Sequence, residues 1–141
     1  MFKKEIIVQT LAETAEAASE FANVIKKGSV ITLTGNLGAG KTYFVKALCK
    51  KYNILNVSSP SFAIVNTYSG KEIVHHFDFY RIISVNELYD IGFEEYISDE
   101  EAVVFIEWAE LFEEIIPKKR FQINIDFIND YKRKINIEER K

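Results

Sequence analysis

Eight consecutive residues in the first third of the chain have the types and spacing needed to hold a phosphate group. They read Gly35-Asn36-Leu37-Gly38-Ala39-Gly40-Lys41-Thr42 and fit the pattern G-x-x-x-x-G-K-[ST], known as the P-loop. Glycines allow backbone N–H groups to curl around an anion, because a Cβ atom would block the approach and the dihedral angles. The lysine of such a loop reaches the outer phosphates, and the final hydroxyl is placed on Mg²⁺.

This segment is therefore a candidate site for a nucleotide and magnesium. An apolar run at 30–33 predicts a buried strand before it, and apolar residues at helical spacing over 44–49 predict a helix after it. The helix would point the positive end of its dipole at the anion. The alternative is a glycine turn that only connects a strand to a helix. The predicted nucleotide-binding residues of the loop are Asn36, Leu37, Gly38, Ala39, Gly40, Lys41 and Thr42.

A carboxylate that could hold the metal follows a second buried strand. Residues 102–106 are uninterrupted apolar residues, which is typical of a strand covered on both faces, and Glu107 closes the run. Ligands of open α/β sheets bind at the carboxyl ends of the strands. We therefore predict Thr42 and Glu107 as the Mg²⁺ ligands. The alternative for Glu107 is a solvated carboxylate at a strand end.

A second carboxylate, Asp78, lies in the segment His76-Phe77-Asp78-Phe79-Tyr80-Arg81. If this segment is extended, period-two geometry places positions 76, 78 and 80 on one face and the two phenylalanines on the other. Asp78 could then position or deprotonate an attacking water, so we predict it, with Lys41, as a catalytic residue. The alternative is an edge strand with ordinary polar-out alternation. His75 and His76 would face opposite ways and could not chelate one ion together.

Three further features each have more than one interpretation. Arg81 could stabilise the charge on a phosphate during its transfer, contact a partner protein, or form a surface salt bridge. Trp108 could pack near the nucleotide or belong to the core. The basic cluster at 132–134 is a candidate for nucleotide or partner contact, and we include Lys132 among the predicted nucleotide-binding residues.

The remaining pattern predicts an α/β fold over residues 1–141, with one P-loop NTPase-like domain built as a three-layer sandwich. Its mixed sheet should have a parallel core with antiparallel hairpin additions. The predicted elements outside the site are a strand at 6–8, a helix from the Thr10–Glu13 capping box to Gly28, a loop at 58–61, a hairpin of 62–68 with 73–77, a helix opened by Ser84 with Glu87 and closed by Gly92, a helix from 109 to 116, and a terminal hairpin of 121–127 with 135–137.

Composition excludes several classes of protein. The net charge of −3, from 18 basic and 21 acidic residues, argues against a self-sufficient nucleic-acid binder, which usually carries a basic excess. The single cysteine allows no internal disulfide and no thiolate metal cluster. The first residues turn polar too soon for a signal peptide, and apolar runs fall far below the ~18 residues of a membrane span. We therefore expect a cytoplasmic protein with no membrane contact.

The absence of other motifs narrows the choice of nucleotide. The chain has neither the Asn-Lys-x-Asp motif that reads guanine nor an Asp-x-x-Gly switch, so ATP is favoured over GTP. A small-molecule kinase of this fold usually needs a lid carrying arginines, and few residues are left to build one. The kinase is the weaker alternative. A nucleotide-gated binding module, in which hydrolysis is incidental, is another.

Four motifs in order give the chain a resemblance to the TsaE (YjeE) family. The family pattern is G-D-L-G-A-G-K-T, then S-P-T-[FY], then H-x-D-x-Y-R, then an apolar strand ending in E-W. Here the P-loop is followed by Ser59-Pro60-Ser61-Phe62, by residues 76–81 and by Glu107-Trp108. The likeness covers nearly the whole chain. Asn36 replaces the usual Asp, which removes a charge, and Ser61 replaces Thr, which keeps the hydroxyl.

The resemblance implies an ATPase that works as a subunit with TsaD-like and TsaB-like proteins in making threonylcarbamoyladenosine in tRNA. ATP and Mg²⁺ are the implied cofactors, and tRNA would be held only indirectly, through the partners. By the family pattern Thr42 and Glu107 carry magnesium, and Asp78 serves hydrolysis. The Ser59-Pro60-Ser61 loop would respond to nucleotide like a switch.

Overall fold

Residues 1–60 and 62–141 are described by a computed structural model of the chain. Within these residues seven strands form one sheet in the order β1-β7-β6-β2-β5-β4-β3. The strands are β1 (Lys3–Val8), β2 (Val30–Gly35), β3 (Val65–Ser69), β4 (Ile73–Asp78), β5 (Ala102–Glu107), β6 (Arg120–Phe127) and β7 (Arg133–Arg140). The helices are α1 (Leu11–Phe21), α2 (Lys41–Cys49), α3 (Val85–Asp90) and α4 (Phe93–Ile97), with 3₁₀ helices at Lys50–Tyr52 and Ala109–Ile115.

The centre of the sheet is parallel and its edges are antiparallel. Strands β4, β5, β2 and β6 pair in parallel, so their carboxyl ends lie at one edge of the sheet. Strand β3 pairs antiparallel with β4, and β7 pairs antiparallel with β6 and β1. This arrangement confirms the predicted mixed sheet with a parallel core and antiparallel hairpin additions.

Two hydrophobic clusters, one on each face of the sheet, make the fold three-layered. Helices α1 and α2 cover one face, where Phe21, Phe44 and Leu48 are among the buried residues. Helices α3 and α4 and the Ala109–Ile115 segment cover the other, around Phe77 and Phe79. All six residues of β5 are buried because helices lie on both of its faces, which explains its uninterrupted apolar sequence.

The predicted first helix is too long in the structure. The Thr10 hydroxyl accepts the Glu13 N–H at 3.1 Å, as expected of an N-cap, but the helix ends at Phe21 instead of Gly28. The N–H groups of the next turn bond three residues back, with Val24 donating to Phe21 at 2.9 Å. This tighter turn redirects the chain toward β2, and the Gly28 N–H bonds to the Ala102 carbonyl at 2.8 Å.

Strands β1 and β7 are longer than the predicted 6–8 and 135–137, since β1 starts at Lys3 and β7 runs over Arg133–Arg140.

Three further parts of the chain also differ from the prediction. The hairpin begins at Val65, because Ile64 adopts φ 71° and its N–H turns back to the Pro60 carbonyl at 2.7 Å. Gly92 closes α3 as predicted but also starts α4, which the sequence pattern did not reveal. The Ala109–Ile115 segment is 3₁₀, with non-helical dihedrals at Phe112 (φ −142°, ψ 54°), whose ring packs 6.1 Å from that of Phe79.

The remaining elements confirm the predicted order, including the terminal hairpin of β6 with β7. The Ser58–Pro60 part of the predicted loop is irregular, whereas Ser61 lies outside the described residues. In the part of the chain that the structure describes, no helix combines the length and apolar character required to cross a membrane.

The close approach of β2 to β6 at Gly35 gives a stability prediction. Gly35 has a φ of +139°, and an added Cβ at this residue would lie 2.1 Å from the Ile125 carbonyl oxygen. We expect Gly35→Ala to lower the free energy of unfolding by about 3 kcal/mol or more, because backbone overlap adds to backbone strain. Urea denaturation followed by circular dichroism measures this change.

The matched control is Gly92→Ala. Gly92 also has a positive φ, of +83°, but a Cβ there would meet no atom closer than 3.9 Å. Its cost should be the strain alone, about 1 to 2 kcal/mol. Equal losses in the two variants would refute the steric explanation.

Candidate active site

The P-loop turns sharply from the end of β2 into α2. Gly38 and Gly40 have φ of +79° and +110°, and Gly40 is the N-cap of α2 without a side-chain hydrogen bond to the helix. A side chain at either glycine would have open space but would force a conformation that L residues rarely adopt. The first N–H groups of α2 therefore have no side-chain cap and can bind an anion.

The turn forms one wall of a cavity of about 450 Å³ at the carboxyl edge of the sheet. Three strands supply its other walls, since β4 ends at Asp78, β5 ends at Glu107, and β2 runs into the P-loop. The residues that line the cavity include Gly38, Lys41, Thr42, Asp78, Glu107 and Trp108. The structure thus brings together both predicted catalytic residues and both predicted metal ligands.

Glu107 is the centre of the polar contacts in this cavity. It is 3% exposed, which is not the solvated strand-end carboxylate of the alternative interpretation. The hydroxyl of Thr42 lies 2.8 Å from Glu107 Oε1 and 2.9 Å from Oε2, so it donates to this carboxylate. Hydroxyl and carboxylate oxygens are the hard ligands that Mg²⁺ takes in proteins.

His76 also contacts the Glu107 carboxylate. His76 is fully buried, and its Nε2 lies 2.5 Å from Glu107 Oε2. Sequence reasoning placed His76 on the face of Asp78 but did not connect it to Glu107. His75 faces the other side of the sheet, with its ring nitrogens 2.9 Å from the Asp99 carboxylate and the Thr67 hydroxyl. The two histidines therefore face opposite ways, as period-two geometry predicts.

Asp78 is held firmly at the cavity wall. It is 5% exposed, its Oδ1 accepts the Tyr80 N–H at 2.9 Å, and its Oδ2 accepts the Ser59 hydroxyl at 3.3 Å. The contact joins the loop before β3 to the end of β4. Among the described residues of the predicted switch loop, Ser59 is thus the one that touches a predicted catalytic side chain.

The side chain of Lys41 folds back onto its own loop. Its Nζ donates to the Gly35 carbonyl at 2.6 Å and to the Asn36 carbonyl at 3.0 Å, and it lies 4.1 Å from the centre of the Trp108 ring. Burial lowers the pKa of Lys41, since it penalises the charged ammonium, although the carboxylates of Glu107, Glu110 and Asp78 oppose the shift. The ammonium group is thus held at the cavity by contacts that a phosphate would have to replace.

Trp108 lines the cavity and also packs against the hydrophobic cluster around Phe77 and Phe79. Its φ of 59° is unusual for a bulky residue, and its N–H donates to the Leu33 carbonyl at 3.1 Å. This turn presents the indole to Lys41 on one side and to the Tyr80 ring, 4.8 Å away between centroids, on the other. No spacing rule in the sequence indicates such a backbone conformation.

Of the two remaining basic candidates, Arg81 lines the cavity and Lys132 does not. The Arg81 guanidinium lines the cavity and lies 4.6 Å from the centre of the exposed Phe62 ring, and within residues 1–60 and 62–141 it forms no ion pair. The surface salt bridge of the alternative interpretation is therefore not seen. Lys132 lies in the turn between β6 and β7, where its N–H donates to Asn129 Oδ1 at 2.9 Å. It does not line the cavity with the other predicted binding residues.

Two of the predicted nucleotide-binding residues of the P-loop also do not line the cavity. Ala39 is 1% exposed and belongs to the core beneath the loop, and the Asn36 carbonyl, not its side chain, contacts Lys41. In a loop that binds through backbone amides, such side chains can point away from the ligand. Within the described residues the side chain of Asn36, which departs from the Asp of the family pattern, forms no hydrogen bond.

Comparison with known proteins gives a consistent result. The model of the family described as "Threonylcarbamoyl adenosine biosynthesis protein TsaE" matches residues 8–135. The tRNA threonylcarbamoyladenosine biosynthesis protein TsaE of Rickettsia bellii is 33% identical over 140 residues, covering 97% of this chain and 96% of that protein. The Bacillus subtilis protein of the same name is 40% identical over 125 residues, 87% of this chain and 77% of that protein.

A solved structure matches the fold. The crystal structure of Bacillus subtilis YdiB superposes with a TM-score of 0.85 at 31% sequence identity, covering 99% of this chain and 87% of that one. The structural and sequence comparisons therefore extend over nearly the whole chain, as the four motifs did.

The contact between Lys41 and Trp108 gives a spectroscopic prediction. Trp108 is the single tryptophan of the chain, so the tryptophan emission comes from the residue that makes this contact. We expect the emission to change when ATP and Mg²⁺ are titrated in, because the ammonium group leaves the ring for the phosphates. In Lys41→Met the emission should differ from the start and should not respond to ATP. Unchanged emission of the unmodified protein at an ATP concentration shown by dialysis to saturate it would contradict this prediction.

Proposed function

The chain belongs to the TsaE family, and from that we propose that it is the Mg²⁺-dependent ATPase subunit acting with TsaD-like and TsaB-like proteins. Its role lies in tRNA threonylcarbamoyladenosine biosynthesis. ATP binding and hydrolysis would reset or drive the partner complex between turnovers. The isolated subunit should hydrolyse ATP slowly, and faster with its partners.

One observation carries the proposal: the Thr42 hydroxyl and the Glu107 carboxylate are in contact beside the uncapped start of α2. The helix N-terminus and the P-loop amides suit the phosphates of a nucleotide. The two oxygen-bearing side chains suit Mg²⁺, which takes few protein ligands and keeps several waters. The donor set therefore fits the metal that the proposal requires. When bound, Mg²⁺ would neutralise charge on the phosphate oxygens.

The proposal gives two more polar side chains of the cavity a role. Lys41 would exchange its bonds to the Gly35 and Asn36 carbonyls for bonds to the outer phosphates. Asp78 would orient water and accept its proton as it attacks, since its carboxylate is fixed by Tyr80 and Ser59 at the cavity wall.

The charge of the chain supports a division of labour with its partners. At −3, the protein does not have the basic excess that direct tRNA binding usually needs. The tRNA would therefore be held by the TsaD-like and TsaB-like proteins. This chain would contribute ATP turnover and not the base-modifying chemistry.

Removal of the Asp78 charge separates ATP binding from ATP hydrolysis. Asp78→Asn keeps an oxygen for the Tyr80 N–H but is a much weaker base, so we expect hydrolysis to fall roughly 10²-fold or more. ATP affinity, measured by calorimetry, should change little. Asp90→Asn, at the exposed end of α3, is the matched control and should hydrolyse ATP at the unmodified rate. Hydrolysis by Asp78→Asn at the rate of the unmodified protein would refute the catalytic role of Asp78.

A cellular assay tests the whole proposal. After depletion of the native protein, nucleoside analysis of bulk tRNA should show loss of threonylcarbamoyladenosine. Expression of the unmodified chain should restore the modification, whereas Lys41→Ala, which removes the phosphate-binding ammonium, should not.

The same assay decides between the proposal and its two alternatives. Full restoration by Asp78→Asn would show that hydrolysis is not required, which would favour a nucleotide-gated binding module. With the purified protein, transfer of the terminal phosphate of ATP to a metabolite instead of water would favour a kinase.

A further inference from the structure

We propose that His76 is a positioning residue for the metal site: its ring fixes the Glu107 carboxylate in the orientation that Mg²⁺ binding needs. This inference rests on the proposed function, because it assigns a further residue to the same site. It does not place His76 on the metal or on the nucleotide. His76, which is fully buried and does not line the cavity, acts through Glu107.

The contact is buried and close. His76 is 0% exposed and Glu107 is 3% exposed, and 2.5 Å separates Nε2 from Oε2. A hydrogen bond to a carboxylate in such surroundings is stronger than one in water, because low dielectric strengthens the electrostatic attraction. His76 therefore helps to fix the orientation of Glu107, alongside the hydroxyl of Thr42.

The surroundings of His76 Nδ1 indicate which of the two ring nitrogens carries the proton. Among the described residues His76 Nδ1 has no hydrogen-bond partner, although it is buried. A buried N–H without an acceptor costs more than an unused lone pair, so we assign the proton to Nε2. In this tautomer the ring donates to Glu107, which is what an ionised metal-binding carboxylate requires.

The sheet register explains why a histidine can do this from position 76. On the parallel pair β4 and β5, His76 lies opposite Phe105, and Asp78 lies opposite Glu107. Residues 76 and 78 share one face of β4, and residues 105 and 107 share the same face of β5. The imidazole thus reaches diagonally to the next position on the neighbouring strand, and no loop is needed to hold it.

The contact leaves Glu107 free to bind the metal or its waters. A carboxylate offers about four lone-pair sites. His76 uses one, and the single hydroxyl proton of Thr42 is shared between the two oxygens, at 2.8 and 2.9 Å. Acceptor capacity therefore remains on the carboxylate, which lines the cavity. Loss of such an outer partner typically lowers metal affinity by roughly 10- to 100-fold.

The test compares substitutions at two neighbouring histidines. His76→Leu removes the donor, His76→Gln keeps an N–H at a similar reach, and His75→Gln is the matched control on the opposite face of the same strand. Binding of a fluorescent, non-hydrolysable ATP analogue is titrated against Mg²⁺ concentration and repeated in EDTA. Melting temperatures are recorded for every variant.

We expect His76→Leu to raise the Mg²⁺ concentration at half-maximal binding by roughly 10- to 100-fold while affinity in EDTA changes less than about twofold. His76→Gln should restore most of the Mg²⁺ response, and His75→Gln should show the unmodified response. If His76→Leu does not fold, His76→Asn, whose amide is too short to reach Glu107, replaces it and should show the same loss.

Two results would overturn the inference. One is an unmodified Mg²⁺ response in a folded His76 variant that has no donor in reach of Glu107. The other is an equal loss of affinity with and without Mg²⁺, which would make His76 merely structural. If the unmodified protein itself binds no nucleotide, the proposed function fails, and the inference fails with it.

Discussion

The contact between Thr42 and Glu107 is the interaction on which the rest of the site depends, because it joins the first turn of α2 to the end of β5. It exists because β2 and β5 are adjacent parallel strands, with Leu33 opposite Glu107. The chain leaves β2 at Gly35, where a side chain would strike the backbone of β6. Any sheet order that separated β2 from β5 would part the hydroxyl from the carboxylate.

Burial of polar groups at the carboxyl edge of the sheet lowers the stability of the folded protein unless each group finds a partner. Lys41, His76, Asp78 and Glu107 are all under 6% exposed, and a buried charge without a partner would destabilise the protein severely. Each finds hydrogen bonds within the site, and the carboxylates lie near the ammonium group of Lys41. The phenylalanine-rich clusters on both sheet faces supply the apolar burial that offsets this cost. The apolar core thus supplies the stability that allows polar groups to be buried around the cavity.

Much of this arrangement could be predicted from the sequence, and the rest could not for physical reasons. The P-loop, the buried strand ending in Glu107 and the two faces of β4 follow from local patterns of about ten residues. The pairing of His76 with Glu107 spans 31 residues and depends on strand register, which no local pattern encodes. The pairing of β1 with β7 is likewise set by distant contacts. The early end of α1 was missed because apolar spacing continues to Ile25, although the chain has already begun to turn.

Adjacent histidines on β4 show how one strand serves both the fold and the site. His75 packs its ring edge-on to Tyr96, at 4.9 Å, and its hydrogen bond lowers the pKa of Asp99 below the usual range. That pair ties the end of α4 to the sheet on the face away from the cavity. His76, one residue later, faces the cavity layer and meets Glu107. Because consecutive side chains of a strand point to opposite faces, β4 contributes to the fold through His75 and to the site through His76 and Asp78.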